Sequence, residues 1–348
     1  MSLRTGGTGV RVAVDAMGGD HGVSEVVPGA LDHALSHPED RMILVGDEAA
    51  IRAAAGAALP SNVSIVPASQ VVAMDEHPAL ALREKKDSTI LVAMDLVRRG
   101  DADAVVTAGH TGAGMAAAVL RLGRLPGVDR PSLAVQMVTA SGPMVLLDIG
   151  ANPDSTPENL AQFARMGAIF AERVLGVAEP RVALLSIGEE KGKGDARIQR
   201  ATELLDASGL RFEGNVEGKD LPLHLADVVV CDAVLGNVVM KFFEGLSSFI
   251  FDLWRTEFQG SLRGRLAYLL LRPGVARIRH VFDYERAGGS PLLGVRGTVI
   301  ITHGRARRRM IGFACDVAAT TARTRVPDLI AESLAASAAA PAGAREAS

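Results

Sequence analysis

Two glycine-rich segments and one lysine pair in this 348-residue chain have the composition to hold a negatively charged group. The first, Gly109-His-Thr-Gly112-Ala-Gly114, follows an apolar run. Its spacing is GxxGxG rather than the GxGxxG of a dinucleotide fingerprint, so it reads weakly as a nicotinamide site. Its glycines and Thr111 can present N–H groups and a hydroxyl to an anion at a helix N-terminus, or they make no more than a tight strand-to-helix turn. The second segment, Gly188 to Gly194, sets Glu189, Glu190, Lys191 and Lys193 among three glycines. Such a loop can bring an ammonium onto a phosphate or a developing oxyanion, or it is a solvated charged turn. Lys85 and Lys86 precede Asp87-Ser88 at a helix start, where they serve an anion site or flank an N-cap.

Carboxylates come next. Asp15, Asp20, Asp148 and Asp232, with His21, lie at or just after predicted strand ends, where such groups can bind a divalent ion, orient partners, or cap turns. No metal-ligand spacing links them, and no metal or cofactor is assigned. His303 precedes Gly304 after a strand and could act as an acid or hydrogen-bond donor, or be structural. Cys231 could in principle accept an acyl group, but it ends the run Val228-Val-Val-Cys, where a buried, inert thiol is expected.

The elements that must position these residues follow from composition and pattern. Hydrophobic side chains make up 48% and aromatics only 4%, with 37 glycines, which suits an α/β protein of small-residue turns and aliphatic packing. A formal charge of −3 gives no global field for nucleic acid. Two cysteines with no CxxC pair and no His–Cys cluster argue against a disulfide framework and against a structural zinc site, and fit a reducing cytoplasm. Residues 1–9 lack the apolar core of a signal peptide and are expected to be flexible; no uncharged apolar run reaches the length of a spanning helix.

Apolar runs at Val10–Ala16, Arg41–Gly46, Val63–Val66, Ala104–Thr107, Leu133–Val138, Met144–Leu147, Val182–Ser186, Asp227–Cys231 and Thr298–Thr302 read as strands. Helical periodicity separates most of them, as in Ser24–Ser36, Asn159–Val174 and Arg197–Ala207. The alternation predicts a single α/β domain over 10–330, with a largely parallel sheet and helices on both faces. Ligands of such sheets sit beyond the carboxyl ends of strands, where the polar and glycine-rich clusters fall. A helical hairpin is expected at about 240–280. Its stripe from Phe242 to Trp254 is expected to pack internally, while arginines opposite leucines suit either a dimer interface or an anionic membrane, with the 266–275 tip assigned to membrane contact. Residues 335–348, rich in alanine, read as a disordered tail.

Taken together, the blocks Val12-Ala-Val-Asp-Ala-Met-Gly-Gly-Asp-His21, Leu44-Val-Gly-Asp47, Lys85-Lys-Asp-Ser88, Asp129-Arg-Pro131, Asp148-Ile-Gly-Ala-Asn152, Gly188-Glu-Glu190, Gly192-Lys-Gly194, Gly214-Asn-Val-Glu-Gly218, Ala226 to Asp232, Gly236-Asn-Val-Val239, Leu292-Leu-Gly294 and His303-Gly304 resemble the bacterial phosphate acyltransferases of phospholipid synthesis. The resemblance runs from about Val10 to Ala319, and the first block is its most specific. It implies a fold like those of isocitrate dehydrogenase and phosphotransacetylase, a homodimer, and peripheral association with the inner face of the cell membrane. The implied reaction moves a fatty acyl group from acyl carrier protein to inorganic phosphate without a cofactor. Lys193, His110, Asn152 and Asn237 are then the catalytic candidates. Asp15, Gly18, Gly19, Lys86, Ser88, Gly109, Thr111, Gly112, Asn215, Asp232, Lys241 and His303 are the substrate-binding candidates. Against the family pattern, His110 stands where Asn is usual, Asp195 replaces Asn, Ala233 replaces Gly, Ala287 replaces Tyr, and Arg305-Ala306 replace small polar residues. A coenzyme A-dependent phosphotransacetylase-like enzyme, an isocitrate-dehydrogenase-like oxidoreductase and a non-enzymatic membrane scaffold are the alternatives.

Overall fold

Strand formation here follows from burial on both faces: Val12, Ala13 and Val14 are all fully buried, as are Ala104, Val105 and Val106, which explains runs with no polar alternation. The computed structural model describes residues 9–56, 58–139, 141–281 and 283–339. In chain order the elements are β1 (Arg11–Asp15), α1 (Val23–Ser36), β2 (Arg41–Gly46), α2 (Glu48–Ala55), β3 (Val63–Pro67), α3 (Pro78–Glu84), α4 (Thr89–Arg99), β4 (Ala104–Thr107) and α5 (Thr111–Arg121). They continue with β5 (Ser132–Thr139), β6 (Gly142–Leu147), α6 (Pro157–Val174), β7 (Val182–Leu185), α7 (Ala196–Asp206), β8 (Phe212–Val216) and β9 (Val228–Val230). The last are α8 (Ala233–Gln259), α9 (Leu262–Val281), β10 (Ser290–Leu293), β11 (Thr298–Ile301), α10 (Arg308–Arg323) and α11 (Val326–Ala339).

The strands form one sheet of order β3-β2-β1-β4-β11-β10-β5-β6-β9-β7-β8. Both wings are parallel, but β10 runs antiparallel to β11 and β5, and β5 antiparallel to β6. Connection length explains the mixed centre. Only two residues separate β5 from β6 and four separate β10 from β11, too few for the crossover that parallel neighbours need. β8 and β10 escaped the sequence reading because one is interrupted by Gly214 and only partly buried, and the other is four residues containing Pro291.

Residues alternate between two apolar layers. Val12, Val14, Ala104 and Val106 face a core shared with α1, α6 and α10, while Ala13, Val105, Val299 and Ile301 face one shared with α4 and α5. On α6, Phe163 and Phe170 are fully buried seven residues apart, and full burial of each contributes about 1.5–3 kcal/mol.

Two expectations are corrected. Helix α11 extends to Ala339, so residues 335–339 are helical, and residues 340–348 lie outside the described ones, as do residues 1–8 of the N-terminus. The stripe on α8 is not internal: Phe242 is 69% exposed and Phe249 62%. That helix meets the rest of the fold through buried Ala233 and Gly236 and through Val239, Met240 and Phe243, which pack against the second core. Gly260 and Ser261 join α8 to α9, and Phe258 and Tyr268 contact each other across that junction at 5.6 Å between ring centroids.

Candidate functional site

Register brings three strand ends side by side. Asp15 pairs with Thr107 between β1 and β4, and Thr107 pairs with Ile301 between β4 and β11. The loops that follow therefore emerge together at the carboxyl edge, where open parallel sheets bind ligands. Their backbones touch: Asp20 N donates to Gly304 O at 2.8 Å. Glycine is required for this approach. A Cβ on Gly18 would come within 2.9 Å of both Gly109 N and Asp15 Oδ2. Gly19, at φ +83°, would place one 2.8 Å from Gly304 O and 2.9 Å from Ala108 O. Buried beneath them, Asp15 Oδ2 accepts from Thr107 Oγ1 at 2.9 Å. Burial pushes its carboxyl upward, against the hydroxyls of Thr89 and Thr107 and the amides of Met17 and Gly18. Asp15 thus ties the strand ends together through Oδ2.

The second wall is the N-terminus of α5. His110 is its N-cap, with Nδ1 accepting from Gly112 N at 3.0 Å, the task an Asn side chain performs at such a position. The departure from Asn therefore preserves the cap. Gly109 N donates to Thr107 Oγ1 at 3.1 Å, and Thr111 is exposed at the first helical position, toward the cavity.

That cavity, about 510 Å³, is walled by Leu133, Val135, Met137, Ile149, Met240 and Phe243. Its rim carries Thr111, Asn237, Lys241, Glu244, His303 and Arg305. Lys241 Nζ donates to His303 Nε2 at 2.7 Å and pairs with Glu244 at 3.0 Å, and Arg305 pairs with the same carboxylate at 3.2 Å. Accepting that proton requires a neutral His303 ring. Burial, then the charges of Lys241 and Arg305, hold its pKa below the ordinary imidazole value, against the pull of Glu244 and Asp20. A neutral imidazole beside two cations, opening onto an apolar chamber, can bind an anion and relay one proton.

Several sequence candidates have other commitments. Asn152 is buried, and its Nδ2 donates to Pro131 O and Asp148 Oδ2, both at 2.7 Å. Asp148 in turn accepts from the amides of Leu133, Gly150, Ala151 and Asn152, so Asn152 positions a turn and offers no donor to a ligand. Asp232 caps α8 by accepting from Val234 N and Leu235 N, and pairs with Arg197 at 2.9 Å. Asn215 on β8 approaches Glu190 O and Lys193 O at 3.5 Å and braces the 188–194 loop. Lys193 itself is exposed, makes no ion pair with any described residue, and does not line the cavity; its loop follows β7, which β10, β5, β6 and β9 separate from β11. Lys86 is exposed, its ammonium 3.4 Å from Leu82 O, and Ser88 is the buried N-cap residue of α4. Cys231 is fully buried and its thiol is raised well above the ordinary range by burial and by Asp232 and Asp148, which removes it as a nucleophile.

Sequence reasoning missed Glu244 and the apolar wall from β5. Glu244 lies three residues after Lys241 on α8, an i,i+3 pair visible in principle. The β5 wall carried no such signal, since its residues read simply as strand core.

With the geometry in view, relatives can be placed. The fatty acid synthesis protein family model matches residues 10–329. Proteins named phosphate acyltransferase from Desulfitobacterium hafniense (strain Y51) and Heliobacterium modesticaldum are 47% and 48% identical, each over 89% of this chain and covering 92% and 93% of their own lengths. A phosphotransacetylase from Streptococcus pyogenes is similar in fold, with a TM-score of 0.61 at 17% identity, over 91% of this chain and 94% of its own. The α/β fold expected from the sequence is thus that of the phosphotransacetylases. The chain belongs to the fatty acid synthesis protein family, whose matched members are phosphate acyltransferases, and it is an acyltransferase that uses phosphate as acceptor.

Proposed function

We propose that the protein transfers a fatty acyl group from acyl carrier protein to inorganic phosphate, and that the acyl phosphate feeds phospholipid synthesis. One observation carries the reading: an apolar chamber opens at a rim where a helix N-terminus, two cations and a neutral imidazole meet. The chamber takes the acyl chain, and Thr111, Asn237, Lys241 and Arg305 gather the phosphate and the developing oxyanion. A hydrogen phosphate oxygen attacks the thioester carbonyl carbon, the C–S bond breaks, and the proton brought by phosphate passes to the leaving sulfur, with His303 Nε2 as relay. No covalent enzyme intermediate is needed.

The exposed leucines of α9, with Leu269 at 64% and Leu270 at 78%, support peripheral contact of the 266–275 segment with the inner face of the membrane. The homodimer and the cytoplasmic location rest on the family resemblance. Phosphate-dependent thiol release from acyl carrier protein and from coenzyme A thioesters tests the donor. Faster release from the carrier protein is expected; preference for coenzyme A would overturn this donor assignment.

A further inference from the structure

Away from the cavity, His33 on α1, His37 at its C-terminal cap and Asp316 on α10 each present one ligand atom within 4.8 Å of the others. The two histidines stand four residues apart, on one helix face, with rings stacked at 4.5 Å between centroids. Both Nδ1 atoms lie near the same Asp316 oxygen, at 2.6 Å from His33 and 3.9 Å from His37, whose Nδ1 also contacts His33 O at 3.3 Å. Behind them, Asp40 is completely buried, anchored by Val10 N and Arg323, and lies 3.4 Å from His33 Nε2.

His33 is therefore one buried imidazole between two carboxylates. A neutral ring has a single proton and can satisfy only one of them. Its Nε2 is in fact without a hydrogen bond of good geometry. A divalent ion on Nδ1 resolves the conflict: the proton moves to Nε2 and faces Asp40, the carboxylate–histidine–metal arrangement that orients and strengthens an imidazole ligand. Two imidazoles and one carboxylate are a donor set for an ion of the zinc class, and tetrahedral geometry leaves a fourth position for water. A cavity of about 460 Å³, lined by these residues with Asp32, Arg308 and Arg309, leaves room for that water, and both guanidiniums are already paired, Arg308 with Asp32 and Arg309 with Asp283 and Glu285. His37 and Asp316 are 40% and 43% exposed, so both side chains can shift to open the 2.6 Å contact to ligand spacing.

We propose that His33, His37 and Asp316 form a structural site for a zinc-class divalent cation, with Asp40 as the outer-shell partner. The ion would clamp α1 to α10, the two helices whose preceding loops carry Gly18-Gly19 and His303-Gly304.

The test is calorimetric titration of the full chain, stripped with chelator, with zinc chloride, paired with the visible spectrum after cobalt(II) loading. One equivalent of zinc, a tetrahedral cobalt spectrum and a raised Tm are expected. His37→Ala and Asp316→Asn replace half-exposed groups and should fold. Each should weaken binding by more than the roughly 10- to 100-fold typical for loss of an outer-shell partner, and abolish the rise in Tm. His303→Asn should bind as wild type. Absence of uptake, uptake unchanged in both variants, or uptake lost with His303→Asn would each overturn the proposal.

Discussion

Lys241 on α8 and His303 after β11 stand 2.7 Å apart, Nζ to Nε2, although 62 positions separate them in the chain. The contact fixes the ring as an acceptor and sets an ammonium at the mouth of the apolar chamber. Lys241→Ala should lower kcat/KM by roughly 10², the scale for losing one oxyanion donor, with the fold intact by circular dichroism. Wild-type kinetics in phosphate-dependent thiol release would remove Lys241 from the chemistry.

The pH profile should follow His303. Burial first and the neighbouring charges second lower its pKa, so the neutral ring survives to more acidic pH than an ordinary imidazole. Activity should fall only as pH drops through that lowered value. The unfolded chain takes up the proton earlier, so acidification also costs stability from the unfolded pKa downward. Lys241→Met should move the acid limb of kcat/KM toward neutrality, and an unmoved limb would assign it to another group.

Gly19→Ala should separate the loops that Asp20 and Gly304 hold together. Its φ of +83° and approaches of 2.8 and 2.9 Å to backbone oxygens leave no place for a methyl group. A loss of about 1–3 kcal/mol in stability is expected, with activity falling further than stability alone explains. Denaturant unfolding and thiol release on the same preparation would check this; a fully active variant would show that the loops need not touch.

Leu269→Glu should abolish flotation with anionic vesicles while activity toward soluble substrate survives. The residue is exposed on α9 and does not line the cavity. Continued flotation would exclude the 266–275 segment as the anchor.

Stability in acid should depend on Asp227. Its carboxyl lies at about 2 because burial, which alone would raise it, is outweighed by hydrogen bonds from Arg181 and His224. The pair's contribution is present above the ordinary value of 3.8 and is lost as pH falls from there through about 2. Asp227→Asn should flatten the stability curve across that window; an unchanged curve would assign the acid sensitivity elsewhere.

Much of the scaffold was legible in sequence because its signals are local. A run such as Val12-Ala-Val14 must be buried on both faces, and a Gly-Gly pair after it must turn, whatever the rest of the chain does. The ordered motif blocks likewise carried the family. Local signals also misled. Asn152 and Asp232 have the chemistry to bind a ligand, but each lies at a turn or helix start whose own backbone amides or neighbouring carboxylate claim it first.

What this sequence determined by itself is therefore the class of fold, the turns at its strand ends and the chemistry those turns could offer. Only the tertiary structure decided which turns share a site. Strand order and register put Asp15, Thr107 and Ile301 in line and so joined the loops at Gly19, Gly109 and Gly304, while the same order left Lys193 beyond four further strands. Contacts of this kind depend on pairings between distant segments. No local pattern of residues encodes them, because the hydrogen bonds that fix a strand's neighbours are made by backbone common to every residue.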